Sequence, residues 1–342
     1  MKINKVELDK LIDDGMIIDN RHKTLPLTIL NYSKTAQFEK NWAPLTLQAR
    51  GLVIDDDYNV IALPFKKFFN IEETKKEDIP KNEDIKVYKK MDGSLGILFF
   101  YSDKWHMATR GSFTSEQAVK GMEILNAKYS DLISLLDKNV TYLFEIIYKE
   151  NRIVVDYGDK EDLILLGAIN KNDGTEISLE DINIPFTKVE SVDTEDLDLL
   201  KKRNIKNEEG YVVRFLKSNF RVKIKFDEYV MLHGIVTEFS TKKVWEILKE
   251  NMDLKTVLEM VPDEFYDKVK VVYDDLKNQF DTIKSKAVMA SQEAKRFNSR
   301  KEMALWLNVN HKDVMPLVFG LVDNKDIDGA IMRMIKPEFE KI

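Results

Sequence analysis

The stretch Ile85-Lys86-Val87-Tyr88-Lys89-Lys90-Met91-Asp92-Gly93-Ser94-Leu95-Gly96-Ile97-Leu98-Phe99-Phe100-Tyr101 decides how the first part of the chain is read. Two short runs rich in Val, Ile, Phe and Tyr, Ile85 to Lys89 and Leu95 to Tyr101, flank an Asp-Gly pair. Such runs, bounded by turn residues, read as strands, and Asp-Gly marks a tight turn because glycine adopts positive φ cheaply. On the plain reading Lys90 is a solvated lysine at a strand end. On the other it is an amine nucleophile held rigidly beside the turn. A protonated lysine is a poor nucleophile, and neighbouring cations or burial make it competent by lowering its pKa. The rest of the chain has to decide between them.

Working outward, Arg50 to Ile54, Val60 to Phe65, Trp105 to Thr109, Tyr142 to Ile147, Leu163 to Ile169, Tyr211 to Phe215 and Arg221 to Lys225 are further short strands. Several are divided by turn residues such as Ser102-Asp103 and Asp173-Gly174. Their close spacing favours antiparallel pairing over strand-helix-strand crossovers. A helix is expected from Ser115, its N-cap, to about Leu136. After Tyr229 the apolar period becomes helical: Val244, Ile247 and Leu248; Leu254, Val257, Leu258 and Val261; Val269, Val272, Leu276, Phe280 and Ile283; Val314, Leu317, Val318, Leu321 and Val322; Ile327, Ile331, Met334 and Ile335. The expected fold is α+β, an antiparallel-sheet domain over residues 1–234 and an all-α domain over residues 235–342.

Three further elements bear on Lys90. Lys223-Ile224-Lys225 alternates along a strand, so both lysines share one face. They read as an exposed polar face or as a clamp for a triphosphate, which would also help to deprotonate Lys90. Glu145 shares a face with Leu143 and Ile147, on a wet surface or as a paired, semi-buried carboxylate. Glu209 precedes a strand at Gly210-Tyr211-Val212-Val213. Carboxylates at strand ends suit a hydrated magnesium ion, which takes few protein ligands.

Composition narrows the classes. The chain has 342 residues and no cysteine, so disulfides, thiolate zinc sites and a cysteine nucleophile are excluded. None of the four histidines has a partner at metal-ligand spacing, and neither a Gly-x4-Gly-Lys-Ser/Thr loop nor a Gly-x-Ser-x-Gly elbow occurs. The formal net charge is -6, so a nucleic-acid partner needs a locally basic surface. Lys284, Lys286, Lys295, Arg296, Arg300 and Lys301, with Glu293 the only acid among them, are the candidate, against a solvated helix face. Trp306, Met289 and Met303 read as core rather than as base-stacking residues. No apolar stretch has signal-peptide or membrane-spanning length, so the expected location is the cytoplasm, the host's if the source is viral.

The ordered set now resembles a known family. Lys90-Met91-Asp92-Gly93-Ser94 is similar to motif I of the covalent nucleotidyltransferases, with Glu145 at motif III, Leu163-Ile164-Leu165-Leu166 at motif IIIa, Glu209-Gly210 at motif IV and Lys223-Ile224-Lys225 at motif V. Arg50-Gly51, Pro64 to Asn70, Arg110-Gly111-Ser112, Ser115-Glu116-Gln117-Ala118, Asn151-Arg152-Ile153-Val154, Asp227 and Tyr229 resemble the bacteriophage T4 RNA ligase 1 branch. The resemblance runs from about residue 28 to 232 and fades in the helical tail.

The resemblance implies an ATP-dependent RNA ligase. Lys90 would attack the α-phosphate of ATP, AMP would pass to an RNA 5′-phosphate, and a 3′-hydroxyl would displace it. Arg50 and Lys67 would contact phosphates or the nucleotide. Glu145 would bind the ribose or a metal-bound water, Glu209 would hold the waters of a catalytic Mg2+, with Mn2+ as a substitute, and Lys223 and Lys225 would neutralise phosphates. Lys89, Asp92, Gly93, Arg110 and Tyr229 would complete the nucleotide pocket, Arg110 standing where the family has a lysine. The implied partners are RNA ends, single-stranded or in a nicked loop, and end-healing enzymes, with the chain a monomer and no membrane partner. Leu30 departs from the family by replacing a tyrosine before Asn31-Tyr32. The tail lacks the short strands of an OB-fold, which counts against a DNA ligase or a capping-type guanylyltransferase. An RNA-end-binding protein without catalysis is the remaining alternative.

Overall fold

The strands of the first part of the chain form three sheets, antiparallel throughout except for one two-residue ladder. In the computed structural model, residues 1–193, 196–236, 240–250 and 266–338 are described. They fall in two units, Met1–Val236 and Thr237–Ile342. The Leu254, Val257, Leu258 and Val261 stripe lies outside the described residues.

The first sheet is β1 (Ile17–Arg21), β2 (Leu27–Tyr32), β3 (Arg50–Asp55) and β4 (Val60–Ala62), in that order. The third contains β5 (Phe69–Asn70), β6 (Ile85–Lys89), β12 (Ser191–Val192), β13 (Gly210–Phe215) and β14 (Arg221–Lys225), in the order β12-β6-β13-β14-β5. The second contains β7 (Ser94–Tyr101), β8 (Lys104–Ala108), β9 (Val140–Ile147), β10 (Asp162–Asn170) and β11 (Glu176–Ile177), in the order β11-β10-β9-β7-β8. The second sheet is the middle layer. Ile97, Phe99, Leu143 and Ile169 pack against Leu27, Ile29, Leu52 and Val53 of the first sheet. Leu98, Tyr142, Phe144 and Ile146 pack against Ile124 and Leu125 of the helix α1 (Glu116–Lys128). A strand covered on both faces reads as a continuous apolar run, which is why β9 is Val-Thr-Tyr-Leu-Phe-Glu-Ile-Ile.

Three local expectations change. The run from Val60 stops being a strand at Ala62, because the next amide, Leu63 N–H, leaves the sheet to donate to Thr141 Oγ1 at 2.9 Å and Pro64 has no N–H. Ser115 does cap α1, its side chain accepting from the Ala118 amide, but the α-helix ends at Lys128 and a 3-10 turn covers Ser130–Leu135. The strands β1 and β2, not anticipated, add the first sheet.

In the second unit the regular elements among the described residues are helices: α2 (Thr241–Lys249), α3 (Tyr266–Ala294), α4 (Arg300–Asn310), α5 (Met315–Val322) and α6 (Asp328–Met334). Ala287, Ala290, Leu307, Leu317, Val318 and Ile331 form its core. Of the stripes, Val322 and Met334 lie on the surface, at 38% and 50% exposure. Met303 is core as expected, but Met289 is 63% exposed on α3. None of the described helices is long and apolar enough to cross a membrane.

Candidate active site

The strands β6 and β7 do not form a hairpin. They belong to different sheets, and Lys90 to Gly93 is the segment that crosses from the third to the second. Lys90 N–H donates to the Gly210 carbonyl at 2.8 Å, tying the crossing to β13. Gly93 does not use a positive φ. A side chain there would put its Cβ 2.7 Å from the Ile146 carbonyl oxygen and 3.1 Å from Glu145 Cγ. Glycine is therefore required for close approach to β9, which corrects the tight-turn expectation.

Asp92 anchors the same segment. Its Oδ2 accepts from the Val154 and Val155 amides, both at 2.8 Å, and its Oδ1 accepts from the Tyr229 hydroxyl at 2.8 Å. Asp92 N–H donates to the Tyr157 hydroxyl at 2.8 Å, and the residue is 3% exposed. With both oxygens engaged by protein donors, Asp92 and Tyr229 tether the crossing. The family resemblance puts Asp92 among the nucleotide-binding residues and has Tyr229 support the pocket.

Lys90 and Lys225 converge on one carboxylate. Lys90 Nζ lies 2.7 Å from Glu209 Oε2, and Lys225 Nζ lies 3.1 Å from Glu209 Oε1. Burial of Glu209 pushes its carboxyl up, but Lys90 and Lys225 outweigh this and hold it below the ordinary carboxylate value. Gly210, at φ 144°, makes the arrangement possible, since a Cβ there would lie 2.0 Å from the Ile224 carbonyl oxygen. Lys223 is 9% exposed on β14, opposite Val212 of β13 and Asn70 of β5.

Glu145 reaches the crossing from β9, its Oε1 accepting from the Gly93 amide at 3.0 Å. Of the two sequence readings, the semi-buried one holds. Desolvation pushes its carboxyl up to about 7; Lys90 and Arg50 oppose this, while Glu209 and Asp92 add to it. A carboxyl poised near neutrality is a mark of functional sites.

The upstream cations gather on the other side. Gly51, at φ 93°, lets β3 approach Arg110: a Cβ there would lie 3.2 Å from Arg110 Cα. Arg50 Cζ lies 5.5 Å from the Phe68 ring, and Arg110 donates to the Tyr32 hydroxyl at 3.3 Å. The Lys67 ammonium lies 5.2, 5.9 and 5.4 Å from the ring centroids of Tyr32, Trp42 and Phe69. This aromatic ring escapes a reading by motif, because its members come from positions 32, 42 and 69; interleaved basic and aromatic residues at Lys66-Lys67-Phe68-Phe69 are its one local trace.

Beside Lys90 opens a pocket of about 240 Å³. Met91, Val155, Tyr157 and Ile164 give it apolar walls, and Lys89, Lys160, Lys188, Glu190 and Glu208 give it a charged rim. Lys89 Nζ is held by Glu190 at 2.7 Å and Glu208 at 3.3 Å. Glu208 Oε2 is buried with no hydrogen-bond partner among the described residues, an acceptor of the kind a bound ligand satisfies. Apolar walls with a few placed polar groups suit a planar base. For a metal, no three His, Asp or Glu side chains among the described residues form a ligating group. The residues present would suit only an ion carried largely by its own waters and by phosphate oxygens.

The basic run of the tail takes another form. Lys284 pairs with Asp328 at 2.7 Å, Lys286 with Asp313 at 2.7 Å and Arg300 with Asp323 at 2.9 Å. Arg296 lies over Phe297 and Trp306, at 5.1 and 5.0 Å. Lys295 and Lys301 are exposed. Aspartates from two turns and one helix farther along the chain thus balance half of the six cations, which the sequence run alone did not reveal.

Comparison with known proteins bears on the same residues. A family model for RNA ligases, of the T4 RNA ligase 1 type, matches residues 48–229. A bifunctional polynucleotide kinase/RNA ligase of Autographa californica nuclear polyhedrosis virus is 30% identical over 237 residues, covering 60% of this chain and 33% of that one. An RNA ligase of Rhodothermus phage RM378 is 25% identical over 390 residues, covering 90% of this chain and 87% of the other. The chain thus spans a third of the baculovirus relative and most of the phage one. Among solved structures, an ATP-dependent DNA ligase of Aquifex aeolicus superposes with a TM-score of 0.48 at 15% identity, covering 94% of this chain and all of that one.

Proposed function

Because the chain belongs to the T4 RNA ligase 1-like family of RNA ligases, we propose that it joins a 5′-phosphate and a 3′-hydroxyl of RNA with ATP, through a lysyl-AMP at Lys90. The observation that carries this reading is the meeting of Lys90, Glu209 and Lys225, from three separate strand ends, at 2.7 and 3.1 Å. Lys90 gives up its proton to solvent and leaves its ion pair, its nitrogen bonds to the α-phosphorus of ATP, and the bond from that phosphorus to pyrophosphate breaks. AMP passes from the lysine to an oxygen of the RNA 5′-phosphate. The 3′-hydroxyl oxygen then bonds to the phosphorus of the RNA 5′-phosphate, its proton passes to solvent, and the bond from that phosphorus to the AMP oxygen breaks, releasing AMP.

Each displacement depends on in-line positioning and charge neutralisation. Lys223 and Lys225 supply the cations on β14, and Arg50, Lys67 and Arg110 supply those upstream. The pocket between Met91, Val155 and Ile164 suits the purine. Glu209 and Glu145 are the residues that would hold a hydrated Mg2+ or Mn2+, whose chemistry is to neutralise phosphate charge.

Incubation with labelled ATP or GTP tests the reading. The intact protein is expected to form a covalent adduct with ATP and not with GTP. Lys90→Ala should lose it by roughly 10³-fold or more while keeping its unfolding transition. Labelling by GTP would redirect the reading to capping chemistry, and no labelling by either nucleotide would overturn it.

A further inference from the structure

Beyond the nucleotide site lies the aromatic ring of Tyr32, Trp42 and Phe69. Tyr32 and Phe69 meet Trp42 edge to face, with centroids 5.3 and 5.2 Å away and interplanar angles of 81° and 71°. Such contacts fix an indole without covering it. Trp42 keeps part of its surface exposed, whereas Tyr32 is 4% exposed and serves as its support. Lys67 sits against all three rings, and Arg110 lies 5.6 Å from the Tyr32 ring on top of its bond to the hydroxyl.

The ring is continuous with the reacting centre. Phe69 precedes Asn70, which is the β5 neighbour of Lys223. Asn31, next to Tyr32, is the β2 neighbour of Arg50, and its side-chain Oδ1 is buried with no hydrogen-bond partner among the described residues. A rigid, partly exposed indole with Lys67 against its ring and Arg110 on the tyrosine that supports it is an arrangement that suits single-stranded nucleic acid, the ring stacking a base and the cations holding its phosphate.

We infer that Trp42 is the stacking platform for the terminal nucleotide of the 5′-phosphorylated RNA end, with Lys67 and Arg110 on its phosphate. This rests on the ligase reading above and adds where the second substrate binds. Nothing in lysyl-AMP formation requires RNA, so Trp42 acts only once RNA enters.

The test compares the full chain with Trp42→Ala and Trp42→Phe. In Trp42→Ala, adduct formation from ATP stays within about twofold, while KM for a 5′-phosphorylated oligoribonucleotide rises about tenfold or more, the range of one base stack removed. Trp42→Phe restores most of the loss, which a merely structural position would not require. A Trp42→Ala protein with native KM for RNA overturns the inference.

Should the alanine variant fail to fold, tryptophan fluorescence decides. The chain has four tryptophans. The oligoribonucleotide is expected to quench the intact protein and to lose most of that quenching in Trp42→Phe. Equal quenching in both overturns the inference. Because quenching needs no chemistry, it reads the site even if the protein forms no adduct, so failure of the ligase reading and failure of this one remain separate.

Discussion

The strand ends around Glu209 and the helices around Lys286 use cations in opposite ways. At the strand ends two ammonium groups face one buried carboxylate. In the helical unit Lys284, Lys286 and Arg300 each face a different aspartate, all partly exposed. The second pattern is ordinary surface electrostatics, worth little per pair. The first forces like charges together in a desolvated place, where removing one member leaves the others to repel each other. A run of basic residues in sequence therefore says less than two lysines alternating on one strand.

The comparison is broken most directly at its carboxylate. Glu209→Ala should lower adduct formation by about 10²-fold or more, the size expected when one preorganised charge is removed from a phosphate-binding centre. It should also lower stability by about 3–5 kcal/mol, because Lys90 and Lys225 would face each other with no acid between them. Rates measured over a magnesium series distinguish two causes. A loss that persists at every concentration places Glu209 in the geometry of the site, and recovery with excess metal would reduce it to a weak metal ligand.

Glu145 sharpens the comparison, because it stands near the same lysines without a direct ion pair. Its carboxyl lies near 7 instead of the ordinary 4.5. The folded state therefore holds a proton that the unfolded chain has already released, and Glu145 burdens stability increasingly as pH rises from 4.5 to 7, then constantly above. That displacement corresponds to on the order of 3 kcal/mol. Glu145→Gln keeps an acceptor for the Gly93 amide and removes the charge. It should be more stable than the parent by up to that amount at pH 8 and nearly equal to it at pH 4.5, as read by denaturant unfolding. A variant less stable at both pH values would mean that the burial cost is absent.

What the sequence reveals follows the same division. β6, β13 and β14 are legible because β-branched and aromatic residues alternate between turn residues, and the lysines on β14 share a face by strand geometry alone. Asp92-Gly93 is legible as a special backbone position and illegible in kind, since a hairpin turn and a crossing between sheets carry the same dipeptide. The donors to Asp92 Oδ2 are two backbone amides, which no side-chain pattern announces. Trp42 reaches its site through packing between three distant segments. The aspartates that balance the tail's basic run lie farther along the chain, and only packing brings them back.

The smallest expected effect belongs to that tail. Lys286 and Asp313 are 2.7 Å apart with side chains 45% and 59% exposed. Lys286 lowers the Asp313 carboxyl by hydrogen bonding, yet water competes for both groups. Lys286→Ala should change unfolding free energy by less than about 1 kcal/mol. Its charge is already balanced locally, so the affinity for RNA should keep the same dependence on salt. Every phosphate that a variant no longer neutralises makes the slope of log affinity against log salt shallower by about 0.7 to 0.9. A slope reduced by that amount in Lys286→Ala would show that the aspartate yields its lysine to RNA, and the helical unit would then resemble the strand ends after all: a place where an acid holds a cation until a phosphate arrives.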